Sequence, residues 1–151
     1  MSTTQAAAAG NSAGLVYHVT VTNSGKVAAG VAVLAFVNTS AEELAPLAAA
    51  ESDAGMPTPP LRTLFNFTRV FLARGASAQL EISLEKEALA LSDDAGDRAV
   101  RPGRYTVAIG GVGRAGRVED GAVAAPLELR GEQQVVFSMR ELRRQHAAAA
   151  A

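Results

Sequence analysis

Short runs of alternating apolar and polar residues recur along this chain, and turn residues separate them. Alternation is strict over residues 78–85, where even positions are apolar and odd positions are polar. Residues 15–23 alternate in the same way, are rich in valine and threonine, and lead into the turn Asn23-Ser24-Gly25-Lys26. Period-two alternation puts every second side chain on one face of a strand, and β-branched residues favour that conformation. Both runs therefore predict strands with one buried face.

The other runs differ in whether one or both of their faces are apolar. Residues 30–37 are apolar on both faces, which predicts a central strand covered on both sides. Residues 62–72 hold three of the five phenylalanines, so we expect them at the centre of the core, with a bulge or bend near residues 66–69. Residues 104–110 predict a further strand, whose inward side chains are Tyr105, Val107 and Ile109.

The last third of the chain predicts weaker elements. Two strands are expected over residues 122–130 and 133–138, joined as a hairpin by Arg130-Gly131-Glu132. A short basic helix is expected over residues 139–146, and its cluster of Arg140, Arg143 and Arg144 suits a solvated helix end.

The spacing of the strands predicts one all-β domain, an immunoglobulin-like sandwich, over residues 15–138. Residues 1–14 are small, polar and alanine-rich, and predict a disordered lead-in. Residues 38–60 break the alternation and predict a long inserted loop, with one helical turn near residues 41–47. Residues 139–151 predict the short helix followed by an alanine-rich tail.

Composition excludes several classes of function. A net charge of −1 over 151 residues gives no basic face for nucleic acid and no attraction to an anionic membrane. The chain has no cysteine, so it has no thiolate metal ligand or nucleophile. No run approaches the roughly 18 apolar residues of a membrane span. The first residues lack the basic and apolar segments of a signal peptide, so no signal peptide is expected. The sequence does not indicate a cellular compartment.

Two segments carry a resemblance to a known family. The sequence YHVTVTNSGK at residues 17–26 is similar to VTVTNTGK, which opens the C-terminal fibronectin type III-like domain of family 3 glycoside hydrolases. Residues 61–112 resemble the rest of that pattern, which ends in Pro-Gly-x-Tyr-x-Val. The positions that match in order are Leu64, Phe67, Val70, Leu72, Gly75, Leu80, Ile82, Leu84, Asp93, Gly96, Pro102, Gly103, Tyr105, Val107 and Gly110.

The resemblance has limits. Asn66 stands where the family has glycine, Ala73-Arg74-Gly75 replaces a Lys-Pro-Gly turn, and Ala90-Leu91-Ser92 replaces an aromatic pair. The chain after Gly113 matches no part of the pattern. Within the family, the plant and fungal β-xylosidase branch is the most similar.

The resemblance implies a fibronectin type III-like β-sandwich that packs, as a non-catalytic accessory, on the catalytic domains of a family 3 glycoside hydrolase. It implies a context of plant-polysaccharide or xylan degradation, often extracellular, and no activity of this chain alone. The alternative is a stand-alone module that binds a protein partner, through a sheet edge or the 38–60 loop, or a glycan. The absence of tryptophan and the presence of only two tyrosines count against a glycan.

The residues themselves support no reaction centre. Glycoside hydrolysis needs two carboxyls about 5–10 Å apart across a sugar, but the pairs Glu42/Glu43 and Asp93/Asp94 fall in a loop and a turn, where carboxylates commonly bond backbone N–H groups. No histidine or carboxylate spacing indicates a metal site, and the glycines of residues 110–116 lack the Gly-Lys-Ser/Thr of a phosphate loop. We predict no catalytic, cofactor-binding or metal-binding residue, and no cofactor.

Two further groups have possible surface roles. Asn38-Thr39-Ser40 and Asn66-Phe67-Thr68 are sequons, so Asn38 and Asn66 are candidate glycosylation sites. His18 is expected on the polar face of its strand, and His146 in the tail.

Overall fold

The computed structural model describes residues 2–11, 14–44, 59–110 and 122–149. Within these ranges the chain forms strands, two α-helices and a 3₁₀ turn at Lys86–Leu89. The strands are β1 (Ser2–Asn11), β2 (Gly14–Thr22), β3 (Ala29–Asn38), β4 (Thr63–Leu72), β5 (Ser77–Leu84), β6 (Leu91–Ser92), β7 (Arg98–Val100), β8 (Gly103–Gly110), β9 (Val123–Leu129) and β10 (Gln134–Phe137). The helices are α1 (Ala41–Leu44) and α2 (Met139–Ala149).

Two antiparallel sheets enclose the core. One has the strand order β1-β2-β5 and the other β4-β3-β8-β9, while a small third sheet has the order β10-β7-β6. Side chains from all three sheets belong to one buried cluster, and the third sheet contributes Val100. The largest fully buried side chains are Tyr17, Leu44, Ile82, Leu84, Ile109, Val19, Val21, Val33 and Val107. The all-β sandwich predicted from the alternating runs is confirmed.

The register of β2 and β5 shows why alternation specifies this sheet. Tyr17 lies opposite Ile82, and Leu15 lies opposite Leu84, so the apolar positions of both strands share the inner face. A slip of one residue would turn each apolar set toward solvent. The pattern therefore fixes the pairing as well as the strand.

One buried polar side chain holds the turn after β2. Asn23 Nδ2 donates to the carbonyl oxygens of Val27 at 2.9 Å and Leu72 at 3.0 Å. Its Oδ1 accepts from the N–H of Gly25 at 3.0 Å. Backbone hydrogen bonds also join Asn23 to the β4–β5 turn at residues 73–76. Asn23 thus joins two turns that are far apart in sequence.

Tyr105 anchors the start of β8. Its side chain is 3% exposed, and its hydroxyl donates to the carbonyl oxygen of Arg101 at 2.7 Å. Burial raises the pKa of the Tyr105 phenol, because the phenolate would lose its hydration. The hydrogen bond holds the phenol against the segment that leads into β8.

Several predicted elements differ from those observed. The lead-in predicted for residues 1–14 contains β1, which pairs antiparallel with β2. Backbone hydrogen bonds to β2 stabilise β1, and such bonds form whatever the pattern of apolar and polar side chains along the strand. The predicted hairpin of residues 122–130 and 133–138 is wrong, because β9 pairs with β8 and β10 pairs with β7.

The predicted central role of residues 62–72 in the core is also wrong for most of its aromatics. Phe67 and Phe71 are 71% and 73% exposed, while Phe65 is packed against the core. β4 is an edge strand, and one of its faces has no covering layer among the described residues. No described helix has the length and apolarity required to cross a bilayer.

Candidate functional site

One carboxylate of each acidic pair identified in the sequence, Glu43 and Asp93, caps backbone N–H groups. Glu43 Oε2 accepts from the N–H of Ser40 at 3.0 Å, and Ser40 Oγ accepts from the N–H of Glu43 at 3.2 Å. This reciprocal capping box begins α1, which the sequence predicts near residues 41–47. Asp93 Oδ1 accepts from the N–H groups of Ala95 at 2.9 Å and Asp97 at 2.8 Å. The turn-forming role predicted for Asp93 is confirmed.

A second acidic group anchors α2. Asp97 Oδ1 accepts from the N–H of Arg140 at 3.1 Å and from the hydroxyl of Ser138 at 3.2 Å, and its Oδ2 lies 3.2 Å from Arg140 Nε. The Arg140 backbone N–H is the main reason that the pKa of Asp97 lies below its ordinary value of 3.8. Arg140 therefore joins the first turn of α2 to the 93–97 turn, while its side chain stays 60% exposed to solvent, as the sequence predicts.

The histidines occupy exposed positions. His18 Nδ1 lies 3.6 Å from Glu81 Oε1 on the outer side of β2 and β5, and His146 Nδ1 lies 3.0 Å from the Leu142 carbonyl oxygen. Over the ranges that the structure describes, no three histidine or carboxylate groups are placed to hold a metal ion. Residues 111–116 of the glycine-rich segment lie outside those ranges.

The two sequon asparagines lie in different surroundings. Asn38 is the last residue of β3 and is half-buried. Asn66 lies in β4, and its Nδ2 donates to the carbonyl oxygen of Ser83 at 3.0 Å and to the Ser83 hydroxyl oxygen at 3.3 Å. Asn66 is half-buried as well, and its glycosylation would also have to replace these two hydrogen bonds.

The outer face of the four-stranded sheet is the most unusual surface. We use the term outer face for the outward side chains Leu34, Phe36, Leu64, Phe67, Phe71 and Ala108. Phe67 lies opposite Leu34, and Leu64 lies opposite Phe36. Phe36 in turn lies opposite Ala108 on β8. Register thus arranges Leu64, Phe36 and Ala108 in one row across three strands, while Phe71 lies opposite Gly30.

A bulge in β4 extends this surface. The register of β3 and β4 shifts between Ala35 and Phe36, so that Phe65 has no partner in the ladder. In an unbroken strand Leu64 and Phe67 would point to opposite faces, because they are three residues apart. The extra residue puts both on the outer face. The bend that the sequence predicts near residues 66–69 therefore lies next to its expected position.

The central strand β3 is covered on one side only. Its inward residues Val33, Ala35 and Val37 are buried, whereas Leu34 and Phe36 on the other side remain half-buried. The sequence of residues 30–37 is apolar on both faces and predicts cover on both. Within the part of the chain that the structure describes, no layer covers the second face.

An open groove of about 290 Å³ lies beside the outer face. β4 and β5 are edge strands of their sheets, and residues of both line it. The lining residues are Phe65, Asn66, Phe67, Ser83, Glu85, Glu87 and Ala88. We call it the edge groove. It combines aromatic rings with carboxylates, and nothing in the sequence pattern singles it out, because it forms between two sheets.

Comparison with known proteins relates this fold to glycoside hydrolases. Residues 49–112 match the family model of the fibronectin type III-like domain. A probable exo-1,4-β-xylosidase of Aspergillus fumigatus is 31% identical to this chain over 94 residues. That stretch covers 62% of this chain and 11% of the xylosidase.

Solved structures agree with the sequence match. A GH3 β-glucosidase of Bifidobacterium adolescentis superposes with a TM-score of 0.61 and 27% identity, over 85% of this chain and 17% of that chain. A GH3 exo-β-xylosidase, in complex with a xylobiose aziridine probe, gives a TM-score of 0.60 and 27% identity, over 82% of this chain and 14% of that chain. The chain therefore spans less than a fifth of each of these relatives.

Proposed function

We propose that this fibronectin type III-like domain, with its relatives among the family 3 glycoside hydrolases, is a non-catalytic accessory domain that packs through its outer face on the catalytic part of such an enzyme. The observation that carries the proposal is the exposure of Phe67 and Phe71, at 71% and 73%, on one sheet face with Leu64 at 48%. Apolar area left in water costs about 25 cal/mol per Å². Arg69, opposite Ala32, lies between these two rings on the same face, so one guanidinium interrupts the apolar surface. Exposed apolar side chains grouped on one face are typical of an interaction site.

The pattern of β3 supports a protein layer as the occupant. A strand that is apolar on both faces is typical of a sheet buried on both sides. Leu34 and Phe36 would become fully buried if a second layer packed on the outer face. The rest of a family 3 glycoside hydrolase, more than four fifths of the length of the relatives compared, is the layer that we assign.

The polar residues support an accessory role. Glu43 and Asp93 use their carboxylates to accept backbone N–H groups, so neither is directed at a cavity where a sugar would react. A glycosidase needs one carboxyl as acid and a second as nucleophile or base, on either side of the glycosidic bond. We therefore place the chemistry in the partner and stability or assembly in this chain.

The docking surface can be tested with matched substitutions. The full chain is mixed with the catalytic part of the family 3 glycoside hydrolase of its own organism, and the dissociation constant is measured by analytical ultracentrifugation. We expect Phe71→Ser to weaken association at least tenfold, which corresponds to about 1.4 kcal/mol. Leu61→Ser removes an apolar side chain that is 94% exposed but lies before β4, outside the outer face. It should leave the dissociation constant within twofold. Equal losses in both variants would contradict the proposal.

The non-catalytic role has its own test. The purified chain is assayed on aryl β-glucosides and aryl β-xylosides, and no turnover above the buffer blank is expected. Turnover that follows the chain through successive columns would refute this part of the proposal.

A further inference from the structure

We propose that the edge groove binds a neutral saccharide, so that this domain holds sugar next to the enzyme on which it docks. The choice of a saccharide rests on the proposed function, because that function places the chain beside a glycoside hydrolase. The geometry of the groove is independent of it.

The aromatic side of the edge groove offers a platform. Phe67 projects into solvent at 71% exposure, while Phe65 is half-buried and packs against the core. Both rings line the groove, although the bulge in β4 leaves Phe65 on the core side of the strand and Phe67 on the outer face. The chain has no tryptophan, so the aromatic surface that this groove offers is phenylalanine. A phenyl ring presents a flat apolar face that can stack on the C–H face of a pyranose.

The opposite side of the groove supplies hydrogen-bond acceptors. Glu85 and Glu87 are exposed carboxylates, which only accept hydrogen bonds when ionised. Sugar hydroxyls are donors, and hydroxyl-to-carboxylate bonds are roughly twice as strong as neutral ones. Asn66 also lines the groove, and the hydrogen bonds from its Nδ2 to Ser83 hold its amide in place. The lining therefore has one apolar side and several acceptors.

The size and charge of the groove limit the ligand. About 290 Å³ is at the lower end of small-molecule sites, which suits a mono- or disaccharide. The lining contains no lysine, arginine or histidine, so an anionic ligand would meet two carboxylates without a counter-charge. A basic peptide would also match the carboxylates, but its binding would weaken with added salt, whereas that of a neutral sugar would not.

The position of the groove connects it to docking. Phe67 belongs both to the outer face and to the groove, whereas Phe71 belongs to the outer face alone. A saccharide in the groove would therefore lie at the border of the docked enzyme. Phe71, which lies on the outer face but outside the groove, therefore provides the control for the experiment.

The experiment titrates the full, isotope-labelled chain with xylobiose and with cellobiose and follows its amide resonances by NMR. We expect saturable shifts confined to residues 65–67 and 83–88. Phe67→Ala should weaken binding at least tenfold, and Glu87→Gln should weaken it severalfold. Phe71→Ala removes an equally exposed ring from the same strand and should change the dissociation constant by less than twofold.

The outcomes separate the two proposals. Loss of docking in both phenylalanine variants, with loss of sugar binding in Phe67→Ala only, supports both. If neither sugar shifts these resonances at high millimolar concentration, the saccharide site is refuted, while the docking result stands by itself. Equal loss of sugar binding in both variants refutes it too. If neither sugar binds, but a lysine- or arginine-rich peptide binds and its binding is lost when salt is added, the groove is a site for a basic peptide instead.

Discussion

Replacing Asn23 with alanine should destabilise the fold more than any other change of a polar side chain discussed above. The substitution removes both donors that hold the carbonyl oxygens of Val27 and Leu72, and the acceptor for the N–H of Gly25. Val27 and Gly25 are exposed, so water can replace two of these bonds. Leu72 is 5% exposed, and its carbonyl oxygen would lose a buried partner.

The magnitude follows from these three bonds. Water replaces the bonds to Val27 and Gly25, so their loss costs little. The bond to the Leu72 carbonyl oxygen contributes about 1 kcal/mol, and leaving that buried oxygen unpaired costs a further 1–3 kcal/mol, so we expect a loss of about 3 kcal/mol. For a chain of this size that corresponds to a fall of roughly 6–12 °C in Tm. Against a typical stability of about 5–15 kcal/mol the loss is large but leaves a folded protein.

Urea unfolding, followed by far-ultraviolet circular dichroism, measures this loss directly. Asn23→Asp is the informative companion variant, because it keeps the acceptor for Gly25 but turns an oxygen toward two carbonyl oxygens. We expect it to be at least as unstable as Asn23→Ala. Ser24→Ala, a change at an exposed neighbour, should stay within about 0.5 kcal/mol of the parent. A loss below about 1 kcal/mol in Asn23→Ala, or parental stability in Asn23→Asp, would refute the reasoning.

Three further predictions follow from contacts described above. Tyr105→Phe removes the 2.7 Å hydrogen bond to the Arg101 carbonyl oxygen and should lower the free energy of unfolding in urea by about 1 kcal/mol. Its circular dichroism spectrum should not change, and an unchanged free energy of unfolding would show that the bond is dispensable. Gly103→Ala would bring a Cβ within 2.7 Å of Leu44 Cδ2, so we expect about 1–3 kcal/mol of destabilisation, and parental stability would contradict the close packing of α1 on β8. Asp97 has a folded pKa below 3.8, so its support of α2 is present above that pH and is lost as pH falls through the folded value. The helical signal should therefore fall below about pH 4 in the parent, and an Asp97→Asn variant should lack this transition; the same transition in both would show that another group controls it.

Alternation predicts most of the sandwich because one face of each strand meets a single core. The strands predicted over residues 15–23, 78–85 and 104–110 correspond to β2, β5 and β8. Asn23 and Tyr105 also lie where the family resemblance expects a turn and an anchored strand. These features depend on local sequence and on burial of one face.

The features that the sequence analysis missed depend on pairing or on neighbours beyond the strand. The phenylalanines of β4 indicate burial, but composition alone does not say whether the covering layer belongs to the same domain. The sequence of residues 122–138 predicts a hairpin because its turn residues are local. They do not indicate that β9 pairs with β8 and that β10 pairs with β7. The edge groove combines residues from β4 and from the end of β5, which no linear motif connects.

The attachment of α2 at one end has a consequence for hydrogen exchange. None of its residues is buried, and its contacts with the rest of the chain are concentrated at its first turn, around Asp97 and Gly96. Such an element opens locally with a free energy far below that of the whole domain. The amides of α2 should therefore exchange with solvent independently of those in β2, β3 and β8, so that this helix behaves as a separate cooperative unit carried on the sandwich.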